Sequence, residues 1–321
     1  MLQQILSFIF MMCLTFSSLF GLPVSGYESR QLIADADFEN GFTVISQQTA
    51  DGAGVALGDF TYGGDEAPSW MIAQWSSGPC LWQERVEGDI YTLTDGKTKT
   101  VTYDPTGKSI SMRLNAANIY NGEAASSDAW PHLLLEQSPF CDYSSLSERD
   151  KSFYSCAADR MVLELDIRLT DFVDTTNSEG INAVQYLAYF YIKDEVNNRF
   201  IWFGVDLFDS RGYNDTYWAE DEASGNMIYC LSTKDTYGKK YKSLFRNGKP
   251  YVSQDWVNVK IDLKPHILKA FEKANKDNLF GEAIYPEDFF IGGTNIGFEI
   301  HGNYDCTVEI KDFTLTSYNK K

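Results

Sequence analysis

Apolar and polar residues alternate along most of this chain, and a period of two confines it to half-buried strands. In segment 109–115 the alternation puts Ile110, Met112 and Leu114 on one face. In 161–169, Met161, Leu163, Leu165, Ile167 and Leu169 point one way, and Glu164, Asp166 and Arg168 the other. In 199–207, Ile201, Phe203, Val205 and Leu207 oppose Trp202 and Asp206. In 256–263 the apolar set is Val257, Val259, Ile261 and Leu263. In 295–301, Ile296, Phe298 and Ile300 oppose Glu299 and His301. Turn pairs such as Asp95-Gly, Asn121-Gly and Asn247-Gly separate these runs. Helical spacing occurs in one stretch, 265–276, where Ile267, Leu268 and Phe271 form a stripe behind Pro265. With no repeat and no flexible linker, the expectation is an all-β fold: two packed antiparallel sheets, a jelly-roll sandwich with one short helix near 265–276.

The first 27 residues carry no charged side chain, and an apolar run from Ile5 to Phe16 ends before the small residues Val24-Ser25-Gly26. That pattern predicts a signal peptide at 1–26, a single sandwich domain at 27–321, and a secreted protein. The run is short for a spanning helix, so no membrane span is expected after removal. A net charge of −18 argues against nucleic acid and anionic membrane as partners. With 44% hydrophobic and 15% aromatic residues, the chain has the composition of a folded domain rather than an acidic tail.

Five cysteines follow residue 26: Cys80, Cys141, Cys156, Cys230 and Cys306. None forms a C-x-x-C pair and the three histidines are scattered, which excludes an ordinary structural zinc site. In an oxidising compartment a Cys141–Cys156 disulfide is expected, worth roughly 3 kcal/mol through loop closure.

No Gly-x-Ser-x-Gly, phosphate loop, dinucleotide fingerprint or His-Glu-x-x-His occurs, and no organic cofactor is expected. The unusual stretch is Trp130-Pro-His-Leu-Leu-Leu-Glu136, where an extended backbone aligns Trp130, His132, Leu134 and Glu136 on one face. Asp166, Arg168, Trp202, Asp206, Glu299 and His301 add outward polar and aromatic groups. Aromatic rings stack on apolar sugar faces, and carboxylates, imidazoles and guanidinium groups hydrogen-bond hydroxyls. Leu134 aside, these nine residues predict contact with an extracellular carbohydrate. Cleavage of that carbohydrate would need two carboxyls about 5–9.5 Å apart, with Glu136 and Glu299 or Asp166 as candidates and His132 as a possible base. A lyase would instead use His132 or His301, a tyrosine and Arg168. A third class, a cell-surface structural or adhesion protein, would expose an apolar patch in place of a polar groove. Of Trp70, Trp75 and Trp82, at least one belongs to the core, and Tyr186, Tyr189 and Tyr191 are expected in core and cross-strand packing.

Two resemblances bear on these expectations. Asp35-Ala-Asp-Phe-Glu-Asn-Gly41 is similar to the opening of galactose-binding-like jelly-roll carbohydrate-binding modules, and Val308-Glu-Ile-Lys-Asp-Phe-Thr-Leu315 resembles their closing strand. The resemblance implies a structural calcium ion held by Glu39 and Asp312, which suits a cation that prefers oxygen ligands. Glu164-Leu-Asp-Ile-Arg168 resembles the Glu-x-Asp-x-Glu strand of the laminarinase-like glycoside hydrolases, concanavalin A-like β-sandwiches. There the last glutamate is the general acid. Arg168 holds that position here and cannot donate a proton at ordinary pH, so half of that catalytic pair is missing.

Overall fold

The computed structural model describes residues 26–48, 54–62, 66–123, 125, 130–177, 179–212, 215–221, 225–238 and 242–321. The expected signal peptide, apart from Gly26, lies outside the described residues. One sheet has eight strands: β1 (Tyr27–Gln31), β5 (Gln83–Glu87), β6 (Ile90–Thr94), β7 (Lys99–Asp104), β8 (Ser109–Asn115), β10 (Arg160–Asp174), β17 (Val257–Asp262) and β19 (Tyr304–Lys320). Its order is β17-β10-β19-β8-β7-β6-β5, with β1 paired along the end of β19.

The second sheet has nine strands: β2 (Phe42–Gln48), β3 (Ala56–Phe60), β4 (Trp70–Trp75), β9 (His132–Gln137), β11 (Ala183–Asp194), β12 (Arg199–Asp209), β13 (Tyr217–Glu220), β14 (Met227–Leu231) and β18 (Phe290–His301). Its order is β13-β14-β12-β11-β18-β9-β4-β2-β3. A small hairpin, β15 (Phe245–Arg246) and β16 (Lys249–Pro250), stands apart. The pairing is antiparallel except for β12 with β14 and β2 with β4. Among the described residues the longest helix, Lys264–Lys276, starts one residue before the expected stretch and buries Ile267, Ala270, Phe271 and Ala274, while Leu268 of the expected stripe is exposed.

The alternation carries the fold. Met112, Leu163, Leu165, Ile167, Phe203, Val205, Phe298 and Ile300 are all fully buried between the sheets. Each such side chain contributes about 1.5–3 kcal/mol through loss of apolar surface to water. Trp70 is in this core and Trp82 lies exposed. The opposite residues on each strand must therefore look away from the core, and the two sheets send them in opposite directions.

That geometry corrects the nine-residue set. Asp166 and Arg168 belong to β10, so they emerge on the far side of the sandwich from His132, Glu136, Trp202, Asp206 and Glu299. There they join a charge-laced face. Arg168 lies 4.2 Å from the Trp256 ring centroid and 2.6 Å from Glu309, and Asp166 accepts from Asn258 at 2.9 Å. A Glu136–Asp166 hydrolytic pair is thereby excluded, because the core separates its members. The expected Cys141–Cys156 disulfide is not formed. Cys156 is a free thiol fully buried in the core, and Cys141 is a free, half-buried thiol hydrogen-bonded to Tyr154.

Candidate functional site on the outer face of the nine-stranded sheet

Register builds this face. Trp75 of β4 pairs with His132 of β9, His132 with Glu299 of β18, Glu299 with Gln185 of β11, and Gln185 with Asp209 of β12. Directly paired residues point the same way, so these five form a single row across five strands. At about 4.8 Å per strand the row spans roughly 19 Å. Along it His132 Nε2 lies 3.5 Å from Glu299 Oε2, and Gln185 Nε2 donates to Asp209 Oδ2 at 3.1 Å. Asp209 is buried and clamped by the Arg211 guanidinium, with Nε 2.9 Å from Oδ1.

Trp130 and His301 flank one side of the row, their rings 5.1 Å apart, and His301 Nδ1 lies 2.5 Å from the Ile181 carbonyl oxygen. On the other side lies a small apolar cluster separate from the main core: Leu187, Tyr189, Tyr191 and Cys230, with Phe200, Trp202 and Ile228 packed against it. The Trp202 ring meets Tyr191 edge-on at 4.8 Å and Tyr189 at 5.9 Å. Gly204 makes room for this. A Cβ there would come within 2.7 Å of both Tyr189 Cε1 and Cys230 Sγ, so only glycine lets the Tyr189 ring lie over β12.

The acids differ in state. Burial pushes the Asp206 carboxyl well above the usual carboxylate range, and the neighbouring Asp209 adds to the effect. Its Oδ1 is buried and unpartnered. Burial also raises Glu136, which a hydrogen bond from Tyr191 and the charge of Lys193 partly offset. Asn295 Nδ2 donates to the Tyr191 hydroxyl at 3.1 Å.

Four buried polar atoms on this face have no partner: Trp202 Nε1, Asp206 Oδ1, His132 Nδ1 and Asn295 Oδ1. Left unmade, each such bond costs about 1–3 kcal/mol. Their concentration on one face marks a surface suited to a polar ligand that brings its own donors and acceptors.

Sequence reasoning placed His132, Glu136, Trp202, Asp206, Glu299, Trp130 and His301 on a polar face, and the structure gathers these seven on one. It missed Trp75, Gln185, Asp209, Tyr189 and Tyr191. Three of them were within reach of the alternation: with Tyr186 turned into the core, Gln185, Tyr189 and Tyr191 must turn out. Asp209 was not. Gln185 pairs with Asp209 but Leu187 with Asp206, so Leu207 is an extra residue in β12. The bulge buries both Leu207 and Phe208 and returns Asp209 to the same face as Asp206.

The expected calcium ligands lie elsewhere. Glu39 Oε1 is 2.7 Å and Asp37 Oδ2 is 2.8 Å from Lys108 Nζ, so an ammonium already stands between two carboxylates. Asp312 is raised by burial, partly offset by Lys311, with Asp166 and Asp37 among its acidic neighbours. Among the described residues no cluster of three or more His, Cys, Asp or Glu side chains is arranged to hold a metal ion.

No family model and no curated protein matches this chain. Solved structures do resemble it. Endoglucanase cel12A from Rhodothermus marinus aligns with a TM-score of 0.35 at 12% identity, covering 75% of this chain and 97% of that one. The native family 12 xyloglucanase from Bacillus licheniformis gives 0.37 at 7% identity, covering 73% and 97%. The family 11 xylanase from Neocallimastix patriciarum gives 0.31 at 9% identity, covering 78% and 100%. At identities and TM-scores this low the likeness adds nothing to the reading of the site.

Proposed function

We propose that the outer face of the nine-stranded sheet binds an extracellular polysaccharide chain. The observation that carries this is the single register row Trp75–His132–Glu299–Gln185–Asp209, flanked by Trp130 and by the Trp202–Tyr191 cluster. An indole, an imidazole, a carboxylate and an amide in file offer stacking and paired hydrogen bonds to successive sugar rings. The unpartnered Trp202 Nε1 and Asp206 Oδ1 fit hydroxyl groups, one as a donor and the other as a carboxyl oxygen that accepts.

Affinity electrophoresis of the mature protein through gels containing plant, algal and microbial polysaccharides tests the proposal. Retardation in at least one gel is expected, weakened at least about tenfold by Trp75→Ala or Trp130→Ala, since loss of one ring's apolar burial against the sugar costs about 1.5–3 kcal/mol. Unretarded migration in every gel refutes it. Cleavage is the rival activity. Of the expected hydrolytic pairs, Glu136 with Glu299 is the one that shares this face. Glu136 pairs with Asn295, four residues along β18 from Glu299, which separates the two backbones by roughly 14 Å.

A further inference from the structure

Gln185 and Glu299 are direct cross-strand partners on the outer face. Their Cβ atoms are therefore about 4.5–5.5 Å apart, and the two side chains have equal length, so end groups that run side by side come to a comparable separation. Two carboxyl groups about 5–5.5 Å apart are what a retaining glycosidase needs, one as nucleophile and one as general acid. This chain has a carboxylate at one of the two positions and an amide at the other. The amide is held in place: its nitrogen donates to Asp209, which Arg211 clamps. Among the described residues no other acid takes its role. Asp209 is spent on Arg211 and Gln185, and Asp206 stands two strands from Glu299 and one pair further along.

We infer that this face holds a glycan chain intact, and that Gln185 is the residue that withholds cleavage. The inference rests on the polysaccharide-binding reading above. An amide neither protonates a leaving glycosidic oxygen nor attacks an anomeric carbon. The surroundings are suited to a proton donor at this position, because Gln185 is buried beside the Asp209 carboxylate. A carboxyl placed there would be held protonated by burial and by its like-charged neighbour. In Gln185→Glu the introduced carboxyl gives its proton to the leaving oxygen while Glu299 bonds to the anomeric carbon. Water then displaces Glu299, its oxygen staying on the sugar and its proton returning to the introduced carboxyl. One water is consumed for each glycosidic bond broken.

The experiment compares wild type, Glu299→Gln, Gln185→Glu, Gln185→Glu with Asp209→Asn, and Gln185→Glu with Glu299→Gln. The probes are hydroxyethylcellulose, xyloglucan, xylan, laminarin and mixed-linkage β-glucan. Retardation in affinity gels and release of reducing ends are both measured. Wild type should be retarded and release no reducing ends. Gln185→Glu should release them roughly 100-fold above the wild-type background, the usual scale of a general acid, and lose that gain with Glu299→Gln. The Asp209→Asn double variant relieves carboxylate repulsion should the single variant misfold. Wild-type release that depends on Glu299 overturns the inference and leaves the binding reading standing. So does the absence of release from a folded, glycan-retarded Gln185→Glu variant, single or double. Wild type retarded by no polysaccharide refutes the binding reading and this inference with it.

Discussion

Lys99 lies in β7 with a fully buried side chain, and its ammonium holds the loop that leaves Trp75 at one end of the row. Nζ donates to the Pro79 carbonyl at 2.6 Å and to that of Ser77, and lies 3.6 Å from the buried Asp95 carboxylate. Burial pulls the ammonium from its ordinary 10.5 down to about 8, against the opposing pull of Asp95. At 1.36 kcal/mol per pH unit, that difference is on the order of 3 kcal/mol. The folded value lies below the unfolded one, so the unfolded chain binds more protons between the two. Stability from this group therefore rises with pH between about 8 and 10.5 and is lost as pH falls through the lower value. Lys99→Met removes the titration and strands Asp95, whose removal from its partner costs about 3–5 kcal/mol at neutral pH. Urea unfolding of both proteins at about pH 7 and about pH 10.5 measures the gap. It should widen by up to about 3 kcal/mol at the higher pH, because only wild type gains there. An equal gap at both values would show that Lys99 is not buried as a charge.

Two further outcomes follow from other groups. Burial raises the folded value of Asp206 above the unfolded one, so the stability it contributes is complete below the unfolded value and declines as pH rises through the folded one. As pH rises above the ordinary carboxylate range, thermal melting of Asp206→Asn should fall less than that of wild type, and parallel profiles would reject the raised carboxyl. Because Lys108 already bridges Asp37 and Glu39, wild-type melting should not respond to calcium or chelator, whereas Lys108→Met, which frees both carboxylates, should gain a calcium response. A wild-type rise with calcium would instead restore Glu39 and Asp312 as an ion site.

The sequence by itself determined which side of each strand enters the core. Ile110, Met112 and Leu114, the five apolar residues of 161–169, and Ile296, Phe298 and Ile300 all turn inward as their spacing requires. A pleated strand has only two faces, so water sorts them locally. The helix near 265–276 was legible for the same reason, with a period of 3.6 in place of two. Tertiary structure decided which strands share a sheet. Asp166 and Arg168 alternate as faultlessly as Asp206 and Glu299, yet β10 lies in the other sheet and its outward groups face the opposite solvent. The tertiary fold also decided the row itself. Gln185 meets Glu299 only through the pairing of β11 with β18, more than a hundred residues apart in sequence, and Asp209 joins it only through a one-residue bulge. Periodicity is set by the local contest between water and core. Strand neighbours and bulges are set by long-range hydrogen bonding, which leaves no local signature in the chain.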